Sequence, residues 1–260
     1  MKNIALITGA AGGIGREFAK IHASHGGDLV AVDLNLEGLE ELKLELSLSH
    51  PQCQIHLIQS NLSEADSTAK IYQELKEAKI DIDILINNAG FGGLGMFHER
   101  NWHADENMIK VNVLALASLS RYFLPDFVAR GAGKILNVSS TVSLIPGPMQ
   151  AVYFASKAFV TSFSHSLAGE LEGTGVSVTA LLPGATQTGF GAQSGMDKTK
   201  IYRQPASPKD VALVGYHAMM AGKLQVIAGL PWTQRLSLAI SPLIPKRILL
   251  SRIKKQQVPS

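Results

Sequence analysis

The 260-residue chain is predicted to form one doubly wound α/β domain, with a parallel sheet of about seven strands and helices on both faces. Short runs rich in Val, Ile and Leu lack the polar alternation of a half-solvated sheet, as strands buried on both faces do. Longer segments of helical period separate them, the pattern of right-handed βαβ crossovers. No repeat, low-complexity tract or Pro/Gly/Ser linker divides the chain. Ligands of such a sheet belong at the carboxyl ends of its strands.

The first strand, NIALIT (3–8), runs into TGAAGGIG (8–15) and then a helix near 13–25. Gly9, Gly13 and Gly15 allow a tight turn and close approach of backbone to a bound group. The free N–H groups of the next helix suit a pyrophosphate, although the spacing departs from G-x-G-x-x-G. The second strand (28–33) ends at Asp33, where a carboxylate can accept hydrogen bonds from both adenosine ribose hydroxyls and repel a 2′-phosphate. No Lys or Arg occurs from Leu29 to Leu42, so the cofactor is read as NAD rather than NADP. Arg16 is expected to point along its helix into solvent, and the alternative for Asp33 is a cap on the helix near 35–48. The third strand (54–58) leads through QSNLSEAD to a helix near 63–78. The fourth (83–87) opens on Asp83, read as a structural anchor, and precedes a long helix near 102–124. The remaining strands are 134–138, 176–182 and 225–228, with helices near 151–172 and 208–221.

Apolar residues make up 46% of the chain and charged ones 17%, enough for a large core and against disorder. The sole cysteine, Cys53, excludes an internal disulfide and a multi-cysteine metal cluster, so a reducing, cytoplasmic setting is the default. The first apolar run meets glycine too early for a signal peptide. His98 and His103 are five apart, off the i, i+4 ligand spacing, and no metal is expected. Charge is uneven: residues 211–260 hold seven Lys or Arg and no acid, whereas 1–210 hold 17 basic against 21 acidic residues. This pattern gives no reason to expect nucleic acid as a partner. Residues 230–260 form a basic, apolar extension to a dinucleotide-binding catalytic domain at 1–229. Pro242 and Pro245 interrupt it, and no apolar run reaches the ~20 residues that span a bilayer. It could lie on a membrane surface, close over an apolar substrate, pack against a second subunit, or simply be solvated.

In AVYFASKAF (151–159), Tyr153 and Lys157 are four apart and share a helix face. Alone, the pair reads as the polar end of an amphipathic helix. Its company decides: TGAAGGIG (8–15), NNAG (87–90), NVSS (137–140), YFASK (153–157) and PGATQT (183–188) resemble, in order and spacing, the signatures of the short-chain dehydrogenase/reductase family, over the chain to about residue 228. The resemblance is to its 3-ketoacyl and 17β-hydroxysteroid reductase-like branch, which has the Rossmann arrangement.

That resemblance implies a catalytic set of Asn112, Ser140, Tyr153 and Lys157. Ser140, not Ser139, would bond the substrate oxygen, and Asn112 would hold a proton-relay water. Cofactor contacts are implied for Gly9, Gly13, Ile14, Gly15, Asp33, Asn61, Leu62, Asn88, Ala89, Gly90, Tyr153, Lys157, Pro183, Gly184 and Thr188, with Asn61 in the place of the usual aspartate. A free phenol titrates near 10, so Tyr153 acting near neutrality needs a shift of about three units, roughly 4 kcal/mol. The ammonium of Lys157 and a positive nicotinamide are expected to lower it. Met149, Gln150, Phe91–Leu94 and 189–204 are expected to border an apolar substrate. The expected activity is hydride transfer between NAD(H) and a hydrophobic secondary alcohol or ketone, by a homodimer or homotetramer. The alternatives are an NADPH-dependent 3-ketoacyl or other lipid carbonyl reductase, and a dinucleotide-sensing protein without catalysis.

Overall fold

The computed structural model describes residues 3–199, 202 and 204–258. Residues 200, 201 and 203 of the predicted substrate border, 1–2 of the first domain and 259–260 of the extension lie outside the described residues. Seven parallel strands form one sheet in the order β3-β2-β1-β4-β5-β6-β7. They are β1 (Ile4–Thr8), β2 (Asp28–Asp33), β3 (Ile55–Gln59), β4 (Ile84–Asn87), β5 (Gly133–Val138), β6 (Val176–Pro183) and β7 (Gln225–Ala228). Each expected strand is present, shifted by a residue or so at its ends.

The helices between them are α1 (Gly13–Ser24), α2 (Leu36–Ser49), α3 (Ser67–Glu77), α4 (Trp102–Ile109), α5 (Leu116–Arg130), α6 (Ala151–Glu170), α7 (Gly189–Ser194) and α8 (Pro208–Met220), with α9 (Trp232–Ile240) and α10 (Lys246–Gln257) after β7. The helix expected at 102–124 is longer and not uniform, because a π-helical turn, Lys110–Ala115, separates α4 from α5. The helix expected from 63 begins at Ser67, since Asn61 and Glu64 organise a turn before it.

Adjacent strand residues are buried on opposite faces. Ile7, Ala31 and Leu136 pack under α1, α2 and α8 with Phe18, Leu39 and Val211. Leu6, Val30 and Ile135 pack under α3 and α5 with Ile71, Leu119 and Phe127. Each fully buried Leu or Ile contributes about 1.5–3 kcal/mol, which explains why polar alternation is missing. Successive strands step outward from β1 to β3 and then cross to β4. The β1–β4 boundary is therefore the topological switch point.

A buried polar ladder sets the helices on the far side of that boundary. Asn87 Nδ2 donates to Asn137 Oδ1 at 2.9 Å and to Ser120 Oγ of α5 at 3.2 Å. Asn137 Nδ2 in turn donates to Ser164 Oγ of α6 at 2.9 Å. Asp83 accepts Ile4 N–H at 2.9 Å, the anchoring role expected of it. Replacing Asn137 by Ala removes one buried hydrogen bond from each of two partners, so urea unfolding should show a loss of about 1–3 kcal/mol. An unchanged midpoint would show that the ladder does not stabilise the sheet.

Candidate active site

The glycine loop lies at the carboxyl end of β1. Gly9 and Gly13 have φ of +68° and +55°, and a Cβ at Gly15 would lie 2.1 Å from Gly9 O. The loop is braced from β4: Asn88 Nδ2 donates to Thr8 O at 2.9 Å and to Gly9 O at 3.2 Å. Thr8 Oγ1 accepts the N–H groups of Asn88 and Ala89, each at 3.0 Å. No side chain caps α1 at Gly12, and a Cβ there would meet nothing within 4 Å. The open, uncapped helix end fits a pyrophosphate. Ile14 packs, partly buried, against the core behind it.

Asp33 extends this cradle. Its Oδ2 accepts Ala11 N–H and its Oδ1 accepts Asn35 N–H, both at 3.0 Å. The cap of α2 is Asn35, which accepts Gly38 N–H, so the capping alternative for Asp33 does not hold. Arg16 does not point into solvent. It crosses to α2, ion-pairing with Glu45 at 3.0 Å and Glu41 at 3.4 Å, and donates to Ala11 O. On the adenine side, Leu62 packs partly buried against the core. Asn61 corrects the expectation, because its Oδ1 already accepts from Ser63 N at 3.1 Å and Ser63 Oγ at 2.7 Å. The amide caps the turn before α3, and both carbonyl lone pairs are in use.

Across the switch point, the end of β5 separates two serines. Ser139 Oγ turns to α6, 2.8 Å from Lys157 O and 2.6 Å from Thr161 Oγ1. Ser140 turns the other way, donating to Pro183 O and accepting Val142 N–H, each at 3.3 Å. Strand alternation thus leaves Ser140 as the one beside Tyr153. Lys157 Nζ donates to Val138 O at 2.9 Å and lies 6.0 Å from the Tyr153 ring centre. A Cβ at Gly90 would sit 3.2 Å from that Nζ and 2.9 Å from Asn112 Oδ1.

Asn112 lies in the π turn, with both amide hydrogens used. Its Oδ1 accepts Phe91 N–H at 3.1 Å, and its Nδ2 donates to Phe91 O at 2.9 Å and Ser156 Oγ at 3.1 Å. The side chain clamps the β4 exit loop to α6. Pro183 ends β6 and Gly184 follows it, and Thr188 caps α7 while its methyl faces Gly13. The loop after β6 therefore meets the glycine loop directly.

Burial reverses one electrostatic expectation. Tyr153 is pushed up to about 12 by burial, against the pull of the Ser140 hydroxyl and with the proximity of Tyr202 adding to the rise. Lys157 is pushed down to about 8 by burial. The expected lowering of the phenol is absent in the chain alone, because desolvation disfavours both charged forms. Phe190 packs 5.4 Å from the Tyr153 ring, and Phe91 and Ile145 join the same apolar cluster. The sequence pattern did not single out Arg100, which donates to Leu94 O and pairs with buried Asp105 at 2.7 Å, pinning the loop after Phe91. Nor did it reveal that Gln150 meets Gln257 of α10 in a buried hydrogen bond. Five- and 107-residue separations of ordinary polar residues carry no recognisable signal. Among the described residues, no group of three His, Cys, Asp or Glu could hold a metal.

A family model for short chain dehydrogenases matches residues 3–199. Sulfoacetaldehyde reductase 2 of Chromohalobacter salexigens is 33% identical over 238 residues, covering 87% of this chain and 92% of that protein. A short-chain dehydrogenase from Sphingobium yanoikuyae, solved in complex with NADPH, is 30% identical with a TM-score of 0.82, over 93% of each chain. The bulky-bulky ketone specific alcohol dehydrogenase from Comamonas testosteroni is 29% identical with a TM-score of 0.78, over 93% of each chain. This chain spans between 61% and 92% of the length of the first curated relatives it matches. It belongs to the short-chain dehydrogenase family of NAD(P)-dependent oxidoreductases.

The buried ammonium has a measurable signature. Lys157 titrates lower folded, about 8, than its ordinary 10.5, so between those values the unfolded chain binds more protons and stability rises with pH. The gain is at most about 3 kcal/mol. Tyr153, shifted upward, acts in the opposite sense only above about pH 10. Urea midpoints from about pH 7 to 10 should therefore climb in the cofactor-free protein and lose that climb in Lys157→Met. Parallel profiles for the two proteins would contradict the buried-cation assignment.

Proposed function

We propose that this short-chain dehydrogenase exchanges hydride between NAD(H) and a bulky, apolar ketone or its secondary alcohol, with Tyr153 moving the proton at the substrate oxygen. The observation that carries this reading is the convergence of Ser140, Tyr153 and Lys157 beside the switch point, with the glycine cradle opposite. When bound, the nicotinamide supplies or accepts the hydride. Ser140 orients the substrate oxygen, and Tyr153 donates its proton in reduction or takes one in oxidation. Lys157 holds the nicotinamide ribose hydroxyls and, as a cation, favours the phenolate.

Asp33 supports NAD over NADP, and Arg16 is already neutralised by two glutamates. The NADPH found with one solved relative keeps the lipid carbonyl reductase as the second reading. The relatives' names point to unlike substrates, a small sulfonate and a bulky ketone. Among the described residues of the loop after Phe91, Arg100 is tied to Asp105 rather than open to a sulfonate. The apolar ring of Phe91, Phe190 and Ile145 favours the ketone. A dinucleotide sensor has no need of the Ser140–Tyr153–Lys157 set. A groove of about 410 Å³ on the outer side of α4 and α6, lined by Phe97, Ile109, Val113, Val152 and Phe159, supports pairing of copies. A cytoplasmic setting accords with the single cysteine.

Tyr153→Phe should lower turnover of an apolar ketone by roughly 10²–10⁴-fold while leaving NADH affinity nearly unchanged. Near-normal turnover would refute the proton-transfer role. Calorimetric titration should show NADH binding more tightly than NADPH, with Asp33→Ala narrowing the gap by about tenfold or more, the worth of one charge-assisted hydrogen bond. Tighter NADPH binding by the unaltered chain would reverse the cofactor assignment.

A further inference from the structure

The extension after β7 leaves an apolar stripe in water. Trp232, Leu236, Ile240 and Leu243 are spaced four, four and three apart, and are 75%, 52%, 45% and 83% exposed. None of the residues of α9 is buried. Single exposed apolar residues are ordinary on a protein surface, but a helix showing a whole row of them marks an interaction site. Pro242 and Pro245 then turn the chain into α10.

The second helix is anchored on one side and cationic on the other. Ile253 and Gln257 are buried, and Gln257 accepts a hydrogen bond from Gln150 at the start of α6. Lys246, Arg247, Arg252, Lys254 and Lys255 are exposed, and no acidic residue occurs anywhere from 211 to 260. Both ends of the extension are fixed near the candidate site: Leu230 lies against Gly184, and Gln257 against Gln150. The extension therefore lies on the carboxyl side of the sheet.

We propose that α9 and α10 dock peripherally on the surface of an anionic lipid bilayer. The stripe around Trp232 enters the headgroup–acyl boundary, and the cations of α10 face anionic headgroups. Charge argues for this occupant over contact between two extensions. A two-fold self-contact through the extension would set one acid-free basic cluster against another. Spanning is not involved, since no described helix is long and apolar enough to cross a membrane. Docking would present the substrate side of the sheet to the bilayer, where an apolar ketone concentrates. That last consequence rests on the ketone reading; docking itself does not.

Co-sedimentation of the full-length protein with phosphatidylcholine vesicles, with and without about 30% phosphatidylserine, tests the proposal at low and high salt. Binding is expected only with phosphatidylserine and should weaken on raising salt from about 0.1 to 0.5 M. Lys254→Gln with Lys255→Gln should weaken partitioning by roughly 10- to 30-fold. Trp232→Ser with Leu243→Ser should abolish it, and both variants should keep the parent's urea midpoint. No binding by the parent, or binding that neither variant weakens, would overturn the proposal. So would a salt-insensitive change in sedimentation coefficient without vesicle binding, which would mark a contact between copies. The readout is lipid partitioning, so its failure leaves the catalytic reading to be judged by Tyr153→Phe alone.

Discussion

A buried ammonium demands partners, and much of the candidate site is arranged around that demand. Lys157 donates to the last carbonyl of β5, and Ser139 in turn bonds the backbone of Lys157 itself. These contacts hold α6 at one depth and rotation against the end of the sheet. Tyr153, one turn earlier, then emerges beside Ser140 and nowhere else. The cost of desolvating a cation is several kcal/mol even after relaxation, so the alternatives to this seating are few. Asn112 adds a second constraint from below, holding the β4 exit loop against Ser156 of the same helix.

The two halves of the site are tied across the switch point by polar contacts as well as by the shared sheet. Asn88, from β4, reaches back to the carbonyls of the β1 glycine loop. Thr188, from beyond β6, reaches over the same loop at Gly13. A cradle suited to pyrophosphate and the tyrosine–lysine pair are thus one rigid arrangement, which is what orientation-dependent hydride chemistry requires. The Arg16 pairing with Glu41 and Glu45 belongs to this frame as well, since it fixes α2 against α1 beside Asp33.

The fold was legible because strands buried on both faces are apolar at most positions and glycines interrupt them where the chain must turn. The short-range chemistry was legible too: strand alternation lets only one of Ser139 and Ser140 face the site, and the family resemblance implied that it is Ser140. What escaped were consequences of tertiary placement. Asn61 stands at the expected point with a carbonyl that could replace the usual aspartate, yet that carbonyl is taken by a neighbour two residues on. Arg16 looked solvent-bound because its glutamate partners lie on another helix. The direction of the Tyr153 shift depends on how much water is excluded, which no spacing reports. The π turn around Asn112 and the Gln150–Gln257 contact likewise leave no local trace.

The two-sided burial of β5 has a consequence for how its pairing is kept honest. In a strand with one wet face, a slip of one residue exposes its apolar set and is rejected at once. Here Ile135, Leu136 and Val138 are apolar toward both faces, so greasiness alone barely distinguishes one alignment from the next. The discrimination comes from Asn137 and Ser139, whose partners on β4 and α6 exist in one alignment only. A one-step misalignment would exchange the two serines and point the wrong hydroxyl at Tyr153. The buried amides and hydroxyls thus act as an indexing mark, ensuring that a chain able to collapse in several frames settles in the one that sets Ser140 beside Tyr153.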